Sequence, residues 1–275
     1  MSEIAISSVR SLPRLRVAIR GFGFAGLALI AVAVGLSDVI ARAPADTAGA
    51  GPLLAPPSAL FLLGTDALGR DVMSETLHGL AVTLIHAGLA TTITLTAGSL
   101  FGFIAARLPW KSGAGLRWLA GILGAVPVLL LAILIVGITN RDYAAIAAGL
   151  AAAPLAFART YDRARLLSAS RHAEFARATG IEGGTLMRRD LVYEFRDTFL
   201  TLFARALAAV TITLSTMSFF GFGAVPPHRD LGLIIAAARA TYLEAWWVAA
   251  FPALALLLLI LFARLAASLD EGERP

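Results

Sequence analysis

The side chains that could carry chemistry are thinly spread along this chain, apart from one arginine-rich segment. The 38 residues from Arg159 to Arg196 hold eight arginines, and long apolar runs flank them on both sides. The chain has no cysteine, which excludes disulfides, cysteine-ligated metals and cysteine nucleophiles. Its four histidines are scattered and offer no tight ligand set. The pattern favours polar recognition at the arginine-rich segment over a metal or cysteine active site.

Motifs for nucleotide and acyl chemistry are also absent. A phosphate-binding loop ends in Gly-Lys-Ser/Thr, whereas the single lysine, Lys111, follows Trp110. No Gly-x-Ser-x-Gly nucleophile turn occurs. We therefore expect no intrinsic enzymatic activity, and neither a metal nor a cofactor bound by this chain itself.

The elements that position these side chains are predicted to be membrane helices. The chain is 58% hydrophobic and 15% charged, against about 25% charged residues in soluble domains. A membrane helix needs roughly 20 apolar residues. Six candidate spans meet or approach this length, at about 21–40, 84–106, 118–139, 143–158, 198–225 and 245–267. The sequence thus predicts an all-α, polytopic membrane protein whose first outer loop runs from 41 to about 83.

Lysine and arginine counts predict the orientation. With the N-terminus inside, the inner segments carry seventeen of these residues and the outer segments carry five. Residues 1–20 and the tail 269–275 are then cytoplasmic, and residues 21–268 form the membrane domain. The first span is too long for the apolar core of a cleavable signal peptide. We interpret the net charge of +5 as orientation charge, which argues against nucleic acid as a partner.

The polar hairpin at about 159–197 is predicted to contain two short helices. The first runs from His172 to Gly180, and a glycine suits the end of a helix. Thr185 is placed to cap the second, which would run to about Phe195. On these residues alone, a solvated cytoplasmic loop and a docking surface for a soluble partner both remain open.

The hairpin resembles the cytoplasmic coupling motif of ABC-importer permeases, in which Glu-Ala-Ala is followed three residues later by glycine. Glu174, Ala176 and Gly180 match that motif, and Phe175 stands where its middle alanine is usual. The usual hydrophobic-Leu-Pro ending is replaced by LVY at 191–193. The resemblance implies ATPase-coupling residues, which are Glu174, Phe175, Ala176, Arg177, Gly180, Arg188 and Arg189.

Two further segments resemble signatures of the dipeptide/oligopeptide/nickel permease family, in particular its second permease subunit. Residues 63–72 read LGTDALGRDV, similar to Leu-Gly-Thr-Asp-x-x-Gly-Arg-Asp, and residues 217–227 read MSFFGFGAVPP, similar to Leu-Ser-Phe-Leu-Gly-Leu-Gly-x-x-Pro-Pro. The family's order of the three motifs is kept. The signature residues expected near the outer mouth are Gly64, Thr65, Asp66, Gly69, Arg70, Asp71, Pro226 and Pro227.

The resemblance implies the transmembrane domain of a type I ABC importer, with six transmembrane helices, in the bacterial cytoplasmic (inner) membrane. Its expected partners are a homologous second permease, two ATPase subunits that hold ATP and Mg, an extracytoplasmic solute-binding protein and membrane lipid. The expected cargo is a peptide, nickel or another small solute, which the sequence leaves open.

Three side chains are candidates for the translocation pathway, and two other function classes remain as alternatives. His86 lies near the outer end of span two, where it either faces the pathway or sits at the interface, and Ser218 belongs to the second signature. Arg205 lies inside span five, where it either snorkels to the interface or lines the pathway. The alternative function is a secondary transporter subunit working without an ATPase, which would need intramembrane carboxylates or broken helices. A non-transport scaffold or receptor subunit is a third class, but no soluble signalling domain is evident.

Overall fold

The structure is a computed structural model that describes residues 13–40, 47–169, 183–224 and 228–268. The helices in these ranges are named in chain order: α1 (Pro13–Gly35), α2 (Ser37–Ile40), α3 (Val72–Arg107), α4 (Trp110–Ala125), α5 (Val128–Ile138), α6 (Ala144–Ser168), α7 (Gly183–Phe219), α8 (Leu231–Ala237) and α9 (Trp247–Ala266). Short 3-10 turns precede α6 and follow α8. The described ranges contain no β-strand, and the prediction of an all-α fold is confirmed.

Five of the described helices, α1, α3, α6, α7 and α9, are long and apolar enough to cross a membrane, and α4 with α5 forms a sixth candidate bent by 92°. Gly113 near the start of α4 packs against Ala105 near the end of α3. Arg141, just after α5, donates to the Gly221 carbonyl oxygen beyond the end of α7, at 3.3 Å. The bent pair therefore carries the chain from one end of the bundle to the other, which gives six crossings.

The bundle has two ends that are named here by their contents. The signature end holds residues 47–71 and 228–246 with the starts of α3, α6 and α9. The hairpin end holds the ends of α3 and α6, the start of α4 and the end of α9. The start of α1 also lies there, because Gly23 packs against the backbone of Ala266. Successive spans thus run in alternate directions. Because there are six, the first and last described residues lie at the same end of the bundle, which is the hairpin end.

The start of the second span differs from its prediction. Helix α3 begins at Val72 rather than near residue 84, so the predicted outer loop from 41 to 83 is too long. Ser74, Glu75 and His78 lower the hydropathy of these first turns without opposing helix formation. With 36 residues, α3 is about 54 Å long, which exceeds the roughly 30 Å of hydrocarbon that a span must cross. Hydropathy alone therefore missed its polar first turns.

Further boundary predictions are also wrong. The third span is not one straight helix, because Pro127 has no amide hydrogen and the chain turns sharply there. Helix α7 is continuous from Gly183 to Phe219, whereas a separate short helix ending near Phe195 was expected before span five. No glycine or proline interrupts residues 185–219 to end a helix there. The fifth span also ends at Phe219 rather than Val225.

Small residues bring α3 and α6 together along most of their length. A Cβ added at Gly98 would lie 2.5 Å from the Ala156 Cβ, and one added at Gly102 would lie 2.5 Å from the Phe157 carbonyl oxygen. The buried face of the alanine-rich α6, including Ala147 and Ala148, packs into the main core. Close backbone approach substitutes for the hydrophobic force that lipid removes. The glycine pair at GxxxG spacing therefore serves packing within this chain.

Candidate functional site

The first signature segment folds as a tight loop at the signature end. The Asp66 carboxylate accepts hydrogen bonds from the backbone amides of Leu68 and Arg70, both at 2.8 Å. Gly64 and Gly69 have positive φ angles of 78° and 69°, a conformation that side chains disfavour. In turns, an aspartate side chain typically accepts from the backbone amide two residues later, and glycine typically occupies the left-handed positions. The spacing of Gly, Asp and Gly in the signature is thus explained by backbone geometry.

Thr65 ties this loop to its neighbours. Its hydroxyl donates to the Pro52 carbonyl oxygen at 2.5 Å and accepts from the Ala55 amide at 2.8 Å. Its carbonyl oxygen accepts from the indole N–H of Trp247, at 3.2 Å, in the first turn of α9. Thr65 itself has no exposed surface, and its bond with Trp247 is buried. The loop is therefore fixed both to the preceding irregular segment and to the last span.

Asp71 completes the signature by starting α3. Its side chain caps the helix and accepts from the Met73 amide at 3.3 Å. An aspartate cap satisfies one of the first amides of a helix that have no partner within the helix. The last residue of the signature therefore sets where the long second helix begins.

One carboxylate at the signature end is bound by two arginines. Glu75 in the first turn of α3 is 3% exposed. Arg70 of the signature loop donates to its Oε1 at 3.0 Å, and Arg229, from the loop before α8, donates to the same oxygen. A buried carboxylate keeps its charge only when it is paired and hydrogen-bonded. Glu75 therefore joins two segments that are far apart in the sequence.

The second signature is fixed by a different carboxylate. The Ser218 hydroxyl, 2% exposed, donates to the Asp230 carboxylate and accepts from the Ala224 amide at 3.2 Å. Asp230 also caps α8 by accepting from the Leu233 amide at 2.8 Å. Burial raises the pKa of Asp230, opposed first by the hydrogen bond from Ser218 and less strongly by His86. The glycine-rich turn after α7 is thus anchored to the cap of the next helix.

The predicted site residues fall into three groups. The structure brings together Gly64, Thr65, Asp66, Gly69, Arg70 and Asp71 in the loop described above. Ser218 is buried in its own hydrogen-bonded turn, and His86 is half-buried on α3 at the same end. Arg205 lies far from both, half-buried, with its guanidinium 3.5 Å from the Ala267 carbonyl oxygen at the hairpin end.

The coupling residues are only partly described. Arg188 and Arg189 lie in the first turns of α7. Glu174, Phe175, Ala176, Arg177 and Gly180 lie outside the described residues, as do Pro226 and Pro227. Their assigned roles therefore remain predictions from the sequence.

Two important residues were missed by the sequence analysis. Glu75 fell inside a predicted loop, and Arg229 was counted only as an outer charge. The signal that was available was the order Arg-Asp at 229–230, directly before an apolar helix. Within the described ranges, no group of three or more histidine, aspartate or glutamate side chains is placed to hold a metal ion.

Comparison with known proteins identifies relatives of this chain. Residues 98–270 match the family model described as binding-protein-dependent transport system inner membrane component. The chain is 32% identical over 220 residues to the di/tripeptide transport system permease protein DppC of Pseudomonas aeruginosa, covering 76% of this chain and 72% of that protein. It is 29% identical to the glutathione transport system permease protein GsiD of Pectobacterium atrosepticum, covering 74% and 69%. It is 28% identical to the oligopeptide transport system permease protein OppC of Mycobacterium tuberculosis, covering 81% and 79%.

Proposed function

This chain belongs to the family of binding-protein-dependent transport system inner membrane components, and on that premise we propose that it forms half of the translocation pathway of an ATP-driven peptide importer. Family membership makes it a multi-pass inner-membrane permease subunit of an ABC transporter. The proposal adds the cargo, which is a short peptide or a related small solute, and the division of labour between the two ends of the bundle.

The observation that carries the proposal is the joining of the two signature segments at one end of the bundle. Arg70 follows the first signature turn, Arg229 follows the second signature, and both bind the Glu75 carboxylate. Trp247 in α9 adds a third attachment through the Thr65 carbonyl oxygen. These bonds make one stable surface out of two loops and the starts of two spans. Such a surface suits the docking of a solute-binding protein that delivers cargo.

At the hairpin end, a long helix extends beyond the membrane-spanning stretch and can transmit motion into it. Helix α7 has 37 residues and is about 55 Å long, but its membrane-spanning stretch is Leu200–Phe219. The 17 residues before Leu200 therefore extend about 25 Å beyond that stretch as an unbroken helix that includes Arg188 and Arg189. A continuous helix transmits a displacement of its start to its membrane portion. We assign this end to ATPase coupling, with Glu174 and Gly180 at the contact.

Orientation follows from the distribution of positive charge. The seventeen inner and five outer lysines and arginines favour a cytoplasmic hairpin end. Both chain termini are then cytoplasmic, and the signature end faces the binding protein. ATP and Mg belong to the two partner ATPase subunits, and a homologous permease supplies the other half of the pathway.

Reconstitution of the assembled transporter tests this function. Proteoliposomes would contain this chain, a second permease subunit and the ATPases, with peptide-loaded binding protein added outside. We expect ATP-dependent peptide uptake and stimulation of ATP hydrolysis by the loaded binding protein. A matched preparation that carries an ATPase unable to hydrolyse ATP should show neither. Uptake driven by an ion gradient in the absence of the ATPases would instead establish the secondary-transporter alternative.

A further inference from the structure

Several backbone groups lack a hydrogen-bond partner among the described residues at the bend between α4 and α5. Around it, the Val126 amide donates to the Leu123 carbonyl oxygen at 3.3 Å, and the amides of Leu130 and Leu131 both donate to the Pro127 carbonyl oxygen, at 2.9 and 3.2 Å. No hydrogen bond between described residues uses the amides of Val128 and Leu129 or the carbonyl oxygens of Gly124 and Ala125. A bend of 92° opens the helical ladder at this point.

The bend lies within the hydrocarbon layer. Helix α4 has 16 residues and α5 has 11, so their lengths are about 24 and 16 Å. The two together cross from the hairpin end to the signature end, and the hydrocarbon layer is roughly 30 Å thick. Neither helix is long enough to cross that layer alone. The bend must therefore lie inside that layer rather than at either of its surfaces.

The side chains on the outer surface of the bend are not covered by other described residues of this chain. Val126 is 38% exposed and Leu130 is 58% exposed, and Pro127 is exposed between them. The exposed apolar surface continues along both helices through Leu119, Ile122, Leu123 and Leu134. Side chains of this kind suit lipid and protein equally well. The backbone groups decide between the two, because acyl chains offer no donor or acceptor, and irregular backbone at this depth is tolerated only against protein or a water-filled cavity.

We propose that this bend is a contact surface for the second permease subunit, with Val126, Pro127 and Leu130 at its centre. The inference rests on the proposed function, which supplies a homologous permease beside this chain. Polar side chains of that subunit, or water held between the two subunits, would satisfy the amides of Val128 and Leu129. The bend thereby lies beside the translocation pathway, and its free carbonyl oxygens are available to a passing peptide.

The absence of cysteine makes the test direct. Leu130→Cys and Leu257→Cys are matched, because both leucines lie in apolar helices and their exposed fractions are 58% and 59%. Leu257 lies in α9, whose helix is unbroken around it. The assembled transporter would also carry a single cysteine on the second permease subunit. With a short bifunctional reagent, we expect Leu130→Cys to crosslink to that subunit. Val126→Cys, on the other side of Pro127, should do the same.

A spin label at each position gives the second measurement. The label at residue 130 should be poorly accessible to oxygen dissolved in lipid, whereas the label at residue 257 should be readily accessible. Equal oxygen accessibility at the two positions without a crosslink would show that lipid covers the bend and would overturn the inference. Crosslinking only to another copy of this chain would also overturn it.

Uptake measured with the same variants separates this inference from the proposed function. ATP-dependent uptake without a crosslink at residues 126 and 130 would refute the contact surface and leave the proposed function intact. Failure of this chain to assemble with any second permease would refute both.

Discussion

The Arg229 guanidinium binds the Glu75 carboxylate although the two residues are 154 positions apart. Arg70, five residues before Glu75, binds the same oxygen. The triad formed by Glu75, Arg70 and Arg229 carries one negative and two positive charges. Its arginines would therefore repel each other without the carboxylate. Glu75 therefore links the first signature loop to the loop that follows the second signature.

We expect Glu75→Ala to be the most damaging single change at the signature end. Removing one partner of a buried ion pair leaves an uncompensated charge and costs about 3–5 kcal/mol. Thermal unfolding of the purified protein would measure the loss, and stimulation by the binding protein should be lost with it. Asp38→Ala is the matched control, because Asp38 also pairs with a residue of α3, His78, but its side chain is 92% exposed. An unchanged Tm for Glu75→Ala would contradict the role of the triad.

The close approach of the first signature to α9 makes a prediction for Gly64. A Cβ there would lie 2.7 Å from both the Ala55 carbonyl oxygen and the Trp247 indole nitrogen, at a φ of 78°. Gly64→Ala should therefore displace Trp247 and weaken binding-protein docking, besides adding about 1–2 kcal/mol of backbone strain. Gly221→Ala isolates the strain, since its φ is 85° and nothing lies within 4 Å of its Cβ position. Equal losses of stability in the two variants would show that the clash at Gly64 is unimportant.

Packing between α3 and α6 gives a prediction within the membrane. Gly98→Leu would force the helices apart, because a Cβ at residue 98 already meets the Ala156 Cβ at 2.5 Å and the Ala153 carbonyl oxygen at 2.6 Å. Overpacking of this kind costs about 1–3 kcal/mol or more, and we expect loss of correctly folded protein by size-exclusion chromatography in detergent. Gly88→Leu, on the same helix, has nothing within 4 Å of its Cβ position and should be tolerated. Tolerance of Gly98→Leu would argue against close packing there.

Features that depend on residues close together in the sequence could be predicted, whereas features formed by residues far apart in the sequence could not. Six crossings and an all-α fold follow from apolar runs, which are local. The signature turn is also local, since Asp66 bonds to amides two and four residues away. The triad at Glu75 was missed because it is formed by tertiary contact and because its polar helical turn reads as a loop to any hydropathy measure.

The bend at Pro127 was missed for another reason. The apolar run from 118 to 139 is continuous, and average hydropathy does not distinguish a proline that kinks a span from one that ends it. Helix α6 contains Pro154 and remains one helix, as α9 does with Pro252. What separates Pro127 from these is the loss of several backbone hydrogen bonds, a property of the folded chain that composition does not reveal.

Coupling to the ATPase is tested at the hairpin by a bulky substitution. We expect Gly180→Trp to abolish stimulation of ATP hydrolysis by loaded binding protein, because a glycine at the end of the predicted coupling helix permits both a left-handed turn and close approach of the ATPase. Assembly of the complex, measured by co-purification, should be retained. Glu174→Trp should behave in the same way.

Gly115→Trp supplies the control for bulk, since nothing lies within 4 Å of the Cβ position of Gly115. That variant should keep its stimulation, so that a loss confined to residues 174 and 180 identifies the docking contact rather than a general effect of adding tryptophan. Normal stimulation in Gly180→Trp would refute the assignment of the hairpin as the lever. Because α7 continues unbroken from Gly183 into the membrane, a displaced coupling helix has no flexible joint within α7 to absorb its motion, and uptake should fall in parallel with hydrolysis.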